Sequence, residues 1–141
     1  MDPAAVEREK NLLPFGWGRF GKSLEKLPEL LDPEEDLLAA CVGLNPVFEH
    51  RSITLAGGLR ELTKSTNVVL AVTDRRLLLI ATGAGGAPRE HRELPYDGMA
   101  IEKAGKRELK VTWPEGSMLI KGMAKPMLAS FEQAFQERLA G

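Results

Sequence analysis

A chain of 141 residues is long enough for one domain that buries about two-thirds of the surface it exposes when unfolded. Its 43% hydrophobic and 28% charged residues are typical of a globular protein, and a net charge of -1 gives no overall attraction to nucleic acid or to an anionic membrane. The single cysteine, Cys41, excludes an intramolecular disulfide, and no apolar run approaches the roughly 20 residues of a membrane span.

Residues 1–22 are predicted to be an arm that precedes a domain at residues 23–141. The start, MDPAAVEREKNLL, carries acidic residues and lacks an apolar core, so we do not expect a secretory signal and expect a cytoplasmic protein. The arm combines charges with apolar and aromatic side chains, including Phe15, Trp17 and Phe20, which need a surface to cover.

A short helical lead-in follows the arm. Ser23 is a suitable N-cap, and leucines recur at near-helical spacing through Leu31. Pro28 predicts that this helix is short or kinked.

The first strand is predicted at Glu35–Leu44 and is expected to end at Asn45-Pro46. The next segment, Phe48–Ser65, is ambiguous between an extended arm and a short helix, with a break at Gly57-Gly58.

The strongest pattern in the chain predicts a β-hairpin. Two apolar runs, Val68–Val72 and Leu77–Ile80, flank the polar turn Thr73–Arg76. Both faces of this hairpin are apolar, because Val68, Leu70 and Val72 lie on one face and Val69 and Ala71 on the other. A strand exposed on one face would alternate apolar with polar residues. The N-terminal arm or another subunit must therefore cover its second face.

Four further strands and a closing helix complete the predicted domain. The strand segments are separated by glycine or proline turns and are HRELPY, MAIEKA, RELKVTW and GSMLIKGM. The final segment has apolar residues spaced by three or four from Leu128 to Leu139, which predicts an amphipathic helix at about residues 125–140.

One string matches a nucleotide-binding motif. GWGRFGKS, Gly16–Ser23, fits the P-loop pattern, but it lacks a buried strand before it and a long helix after it, so nucleotide binding is the lesser alternative. The loop Gly83–Pro88 lacks the third glycine and the helix of a dinucleotide site, and a hairpin loop is favoured there.

The sequence predicts neither catalysis nor a metal or cofactor site. Cys41 lies in an apolar strand, where a buried structural thiol is expected. His50 and His91 are isolated from other residues at ligand spacing.

Basic residues at two turns are candidates for binding an anionic surface. One group surrounds Gly105 and the other is in the predicted hairpin turn; they are Lys103, Lys106, Arg107, Lys110, Arg75 and Arg76. Acidic residues alternate with the basic residues around Gly105. The alternative to an anion-binding surface is therefore an ordinary solvated hairpin tip. For the second group, the alternative is one solvated arginine and one that pairs along the sheet. Stacking aromatics do not accompany either group, so nucleic-acid binding is not expected.

These segments together resemble the bacterial pleckstrin-homology-like (PH-like) domains over about residues 24–140. The resemblance rests on the leucine lead-in with PEEDLLAACVGL, on VVLAVTDRRLLLI with its TDRR turn, on ELPYDGMAIEKAG, and on KVTW, SMLIKGM and the closing helix. It implies a mainly β (α+β) fold, a seven-stranded, strongly bent antiparallel barrel or sandwich plugged by a C-terminal helix. It also implies a non-enzymatic module of an assembly or scaffold type.

Two functions follow as hypotheses. The first is a module that self-associates, or docks a protein partner, through an interface formed by Phe15, Trp17, Phe20, Val69 and Leu78. The alternative is peripheral binding to an anionic membrane, at its inner face, through the basic residues around Gly105, with help from Trp17 of an aromatic arm that inserts shallowly.

Overall fold

The computed structural model describes residues 2–50, 67–83 and 85–141, and leaves the side chains of residues 48–50 undescribed. Its helical elements are α1 (Pro3–Asn11), a 3-10 turn (Gly18–Phe20), α2 (Gly21–Leu24), α3 (Leu27–Leu30) and α4 (Lys125–Ala140). Its strands are β1 (Leu37–His50), β2 (Asn67–Thr73), β3 (Arg76–Thr82), β4 (Pro88–Pro95), β5 (Ala100–Gly105), β6 (Glu108–Trp113) and β7 (Gly116–Lys121). The ambiguous segment after His50 lies outside the described residues.

The seven strands form one antiparallel sheet in the order β4-β3-β2-β1-β7-β6-β5, so β4 and β5 lie at its two edges. The closing helix α4 buries Met127, Leu128, Phe131 and Phe135. The predicted fold class, seven antiparallel strands with a C-terminal capping helix and a helical lead-in, is confirmed.

Strand β1 joins the two halves of the sheet. It pairs with β2 from Leu37 to Leu44 and with β7 from Leu44 to His50, with a register shift between Leu44 and Val47. The prediction that Asn45-Pro46 ends the strand is wrong. Asn45 adopts a positive φ of 49° inside an irregular step of the ladder, so the strand bends there and continues.

The N-terminal segment contains more helix than the sequence predicted. Helix α1 forms within the expected arm, where Asp2 caps it by accepting a hydrogen bond from the Ala4 N–H at 2.9 Å. The lead-in consists of two single-turn helices, and the prediction of Ser23 as an N-cap is wrong. Ser23 lies inside α2, and its buried hydroxyl donates to the Gly86 carbonyl at 2.7 Å.

Helix α1 is hydrogen-bonded to the first half of β1, which does not pair with β7. Arg8 donates to the Leu38 carbonyl at 3.1 Å, and the buried Glu9 carboxylate accepts from the Ala40 N–H at 2.7 Å. Two side chains of one helix thereby hydrogen-bond backbone groups that an adjacent strand would otherwise pair.

Both faces of the β2–β3 hairpin are buried within this chain. Directly paired residues of antiparallel strands share a face, so Cys41, Leu70 and Leu79 lie on one face and Val69 and Ile80 on the other. The Cys41 thiol lies 3.9 Å from the Ala124 carbonyl, so the first face is turned toward the start of α4.

The second face is covered by the N-terminal segment. Ile80 on this face lines a small groove with Lys26 and Leu30 of the lead-in. Phe20 and Leu24 are fully buried in the same hydrophobic core as the hairpin. The single chain therefore supplies the cover that the apolar pattern of the hairpin required.

None of the helices in the described ranges combines the length and the apolar character that crossing a bilayer requires.

Candidate functional site

The four cations around Gly105 lie on the β5–β6 hairpin but face different ways. Lys103 is paired across the strands with the buried Leu109, so it lies on the core side of the sheet. Lys110 follows Leu109 and therefore points to the opposite face, where it lines a shallow groove with Val47 and Leu119. These two lysines do not share a surface.

The remaining two cations lie at the hairpin turn. Arg107 donates from Nε to the Met123 carbonyl at 2.7 Å, and the Met123 N–H donates to the Arg107 carbonyl at 3.0 Å. This exchange ties the turn to the segment that leads into α4, while Lys106 is exposed. The structure therefore divides the group instead of forming one cluster, and anion binding by these residues stays a prediction.

The two arginines of the TDRR turn have different surroundings. Arg75 is exposed and forms an ion pair with Asp32 at 2.9 Å. Arg76 forms a two-point pair with the fully buried Glu35, through Nε–Oε2 at 2.9 Å and Nη2–Oε1 at 2.7 Å. A second carboxylate, Glu93 of β4, pairs with Arg76 at 2.7 Å. Arg76 is thus committed to structural ion pairs.

Thr73 and Tyr96 extend this network. The Thr73 hydroxyl donates to Glu35 Oε2 at 2.6 Å and accepts from the N–H groups of Arg75 and Arg76. The Tyr96 hydroxyl accepts from the Thr73 N–H at 3.0 Å and lies 2.6 Å from the carbonyls of Thr73 and Arg76. The TDRR and LPYD segments therefore meet in one hydrogen-bonded turn.

The charge state of this network is fixed by its contacts. Burial alone would raise the pKa of Glu35, but hydrogen bonds from Arg76 and Thr73 outweigh it and lower that pKa. Burial raises the pKa of Tyr96 to about 12. At neutral pH Glu35 is therefore ionised and Tyr96 protonated, as their hydrogen bonds require. The sequence did not identify Glu35 or Tyr96 individually, because their partners come from distant segments.

The predicted interface residues lie in three environments. Phe15 is fully exposed, Trp17 is half-buried, and Phe20 is fully buried beneath Trp17 with their ring centroids 5.8 Å apart. Val69 and Leu78 are fully buried in the core of the chain. A contact between subunits through this set stays a prediction.

The P-loop match has none of the required context in the described residues 2–50. The element before Gly16–Ser23 is helix α1, whereas a phosphate-binding loop follows a buried strand. The helix after the glycines has four residues, and Ser23 is bonded to Gly86. The string serves to dock the lead-in on the β3–β4 loop.

Residues with nucleophilic or metal-binding side chains are dispersed. Burial raises the pKa of Cys41 to about 12, so its thiol stays protonated. His91 is exposed on β4, and the side chain of His50 is not described. Within the described ranges, no three histidine, cysteine, aspartate or glutamate side chains come together at a metal-binding geometry.

A concavity lies where edge strand β5 meets α4. It has a volume of about 430 Å³ and receives Lys103 from β5. The side chains that α4 contributes are both apolar and polar: Lys125, Leu128, Ala129, Glu132, Gln133 and Gln136. We call this surface the β5–α4 groove.

Glu132 lies in the β5–α4 groove with unused hydrogen-bonding capacity. Its Oε1 atom is buried and, among the described residues, has no hydrogen-bond donor within reach. The Lys103 ammonium lies 4.0 Å from it, which is the distance of an ion pair but too long for a hydrogen bond. A buried carboxylate oxygen of this kind favours a donor supplied by a bound molecule.

The two edges of the sheet differ in how they are protected. Strand β4 begins at Pro88 and ends at Pro95, and prolines at an edge discourage pairing with another strand. Strand β5 has no proline from Ala100 to Gly105 and pairs with β6 on one side. Among the described residues no strand pairs with the other side of β5, so the backbone there can accept an added strand.

Comparison with known proteins supports the fold and identifies no function. No family model and no curated protein matches the chain. Among solved structures, the chain is similar to the C-terminal domain of an unknown protein from Leishmania infantum, at 13% identity and a TM-score of 0.50 over 83% of this chain and 94% of that chain.

Two further solved structures are similar to this chain. The Vps36 N-terminal PH domain aligns at 15% identity and a TM-score of 0.48, over 78% of this chain and 83% of that chain. The hSac2 domain from human phosphoinositide phosphatase Sac2 aligns at 11% identity and a TM-score of 0.48, over 89% of this chain and 83% of that chain. The seven-stranded antiparallel sheet with its C-terminal helix is the PH-like architecture that the sequence predicted. Membership of the bacterial group of such domains stays a prediction.

Proposed function

We propose that this protein is a non-enzymatic docking module that binds an extended segment of a protein partner in the β5–α4 groove. The observation that carries the proposal is the position of β5, an edge strand without proline that runs beside a groove of about 430 Å³. An added strand would hydrogen-bond to the free edge of β5, and alternate side chains would enter the groove.

The lining of the β5–α4 groove offers both polar and apolar groups to the side chains of a peptide. Gln133 and Gln136 each offer an amide that both donates and accepts hydrogen bonds, and Lys103 and Glu132 offer opposite charges. Leu128 and Ala129 add apolar surface. The buried Oε1 atom of Glu132 favours a partner segment with a hydrogen-bond donor at the position that reaches it.

The non-enzymatic part of the proposal is supported by the state of the reactive groups. Cys41, the only thiol, is buried and protonated at neutral pH. In the charged network centred on Glu35 and Arg76, both carboxylate oxygens of Glu35 accept hydrogen bonds from Arg76. Such networks stabilise a turn and are poor acid–base catalysts because their charges do not change near neutral pH.

Selection from a random-peptide display library tests the proposal. Ala129 lines the groove from α4 and is exposed, so Ala129→Trp should fill the groove and weaken binding of the selected peptides at least about tenfold. Ala140→Trp places the same side chain on the same helix outside the groove and should bind as the wild type does. Equal binding by both variants would overturn the proposal.

Light scattering tests whether the β5–α4 groove binds a second copy of this chain or a different protein. The proposal predicts that the purified protein is a monomer whose mass Ala129→Trp does not change. A dimer that Ala129→Trp dissociates would place a second copy in the groove and would contradict a heterologous partner.

A further inference from the structure

The turn that carries Phe15 is a second exposed feature, on different elements from the β5–α4 groove. The Trp17 N–H donates to the Pro14 carbonyl at 2.9 Å, which closes a four-residue turn with Phe15 and Gly16 at its centre. Gly16 has a φ of 85°, the conformation that the third position of a type II turn requires. The backbone at this tip is therefore well defined.

Phe15 projects from the turn without covering anything. Its relative exposure is 104%, and Val47 is the other large hydrophobic side chain classed as exposed in the described residues. The base of the turn is anchored, because Trp17 packs against the buried Phe20. The chain thus presents an aromatic ring to solvent on a fixed support, which is costly in water unless another surface receives it.

The charge around this turn is positive. Residues 11–24 contain Arg19 and Lys22 and no acidic residue. The acids on either side are already engaged, since Glu9 is buried and bonded to Arg8, and Glu25 forms an ion pair with Lys10 at 2.6 Å. Arg19 donates to the Gly16 carbonyl at 3.1 Å, so its charge lies next to the tip.

We propose that the Phe15 turn is a shallow insertion tip for an anionic membrane surface. Phe15 enters the boundary between headgroups and acyl chains, the half-buried Trp17 lies at headgroup depth, and Arg19 and Lys22 contact lipid phosphates. A protein pocket would receive the ring equally well, but it would not account for the absence of acids across residues 11–24. One side chain gives weak and reversible attachment.

Co-sedimentation with vesicles of equal parts phosphatidylcholine and phosphatidylserine tests this proposal on the full chain. Wild type should bind these vesicles, bind pure phosphatidylcholine less, and lose binding as salt rises. Phe15→Ser should lower the partition coefficient about tenfold, and Lys22→Glu should lower it too, whereas Phe15→Trp should preserve binding.

Val47→Ser is the matched control because it removes a large apolar side chain that is also exposed; it should bind as the wild type does. Tryptophan fluorescence adds an independent readout, since Trp113 is already buried and a blue shift on binding would report Trp17. Phe15→Ser should keep the wild-type melting temperature, because the ring it removes is fully exposed.

The proposal is overturned if the wild type does not sediment with anionic vesicles at low salt, or if Phe15→Ser and Val47→Ser reduce binding equally. A change in the mass of the protein without vesicles on Phe15→Ser would also overturn it, since the ring would then be covered by a second copy of the chain.

Discussion

Replacement of Arg76 by alanine is expected to lower the free energy of unfolding by about 3–5 kcal/mol, because it leaves a buried carboxylate without its counter-charge. Glu35 is fully buried and receives two hydrogen bonds from Arg76, at 2.7 and 2.9 Å. Arg76 also donates to the Leu30 carbonyl at 3.2 Å. At about 3 °C per kcal/mol for a chain of this size, the melting temperature should fall by roughly 9–15 °C.

The neighbouring arginine provides a matched control. Arg75 has the same chemistry in the same turn, but its ion pair with Asp32 is exposed on both sides, at 45% and 61%. Exposed pairs contribute about 0–1 kcal/mol, so Arg75→Ala should be close to neutral. Urea unfolding followed by circular dichroism measures both variants, and equal losses would refute the assignment of Arg76 as the buried partner.

The Glu35–Arg76 pair also predicts how the free energy of unfolding changes with pH. The folded-state pKa of Glu35 is lowered from its ordinary value of 4.5, so its pairing stabilises the fold above that value and the contribution is lost as pH falls through the folded-state pKa. The difference between wild type and Arg76→Ala should therefore shrink as pH falls, because the unpaired Glu35 of the variant takes up a proton before the paired Glu35 of the wild type does. Replacing both Glu35 and Arg76 with leucine should recover most of the loss at neutral pH, since no buried charge then remains unpaired.

Three further variants test packing and burial elsewhere. Tyr96→Phe should cost about 1–3 kcal/mol in urea unfolding, because the Thr73 N–H loses its acceptor at 3.0 Å; a neutral result would show that water replaces the hydroxyl. Gly43→Ala should cost about 1–3 kcal/mol because its Cβ would collide with Ile120, whereas Gly18→Ala, with open space around it, should differ little from wild type in the same assay. A thiol-reactive dye should label Cys41 only as the protein unfolds, and labelling at the rate of an exposed thiol would contradict its burial.

The β2–β3 hairpin could be predicted from the sequence because its information is local. Two uninterrupted apolar runs and a polar turn specify both strands and their pairing. The extension of β1 past Asn45-Pro46 could not be predicted, because its second half is stabilised by pairing with β7, more than 60 residues away. The local sequence Asn45-Pro46 favours the end of a strand, but the pairing of β1 with β7 outweighs this preference.

Helix α1 was missed for a similar reason. Its sequence, PAAVEREKN, buries few apolar side chains. Its attachment depends on a hydrogen bond that Arg8 donates to β1 and one that Glu9 accepts from β1. A short helix of this kind is marginal without tertiary contacts, so its own residues give a weak signal. The need for a cover over the hairpin was visible in the sequence, but the helical form of that cover was not.

Of the residues that line the β5–α4 groove, the sequence analysis singled out Lys103 and none of those on α4. The sequence singled out Lys103 and Lys110 together, but a register shift between Lys103 and Gly105 determines which residues face the core. A shift of one residue exchanges the two faces of a strand, and nothing in the local sequence fixes it. The β5–α4 groove also depends on where α4 lies against the sheet.

Amide hydrogen exchange of the protein with a selected library peptide tests the central claim most directly. If the peptide adds as a strand to the free edge of β5, exchange should slow in Ala100–Gly105 and remain unchanged in β4, Pro88–Pro95. Protection of β4, or of the N-terminal lead-in, with no change in β5 would contradict docking in the β5–α4 groove.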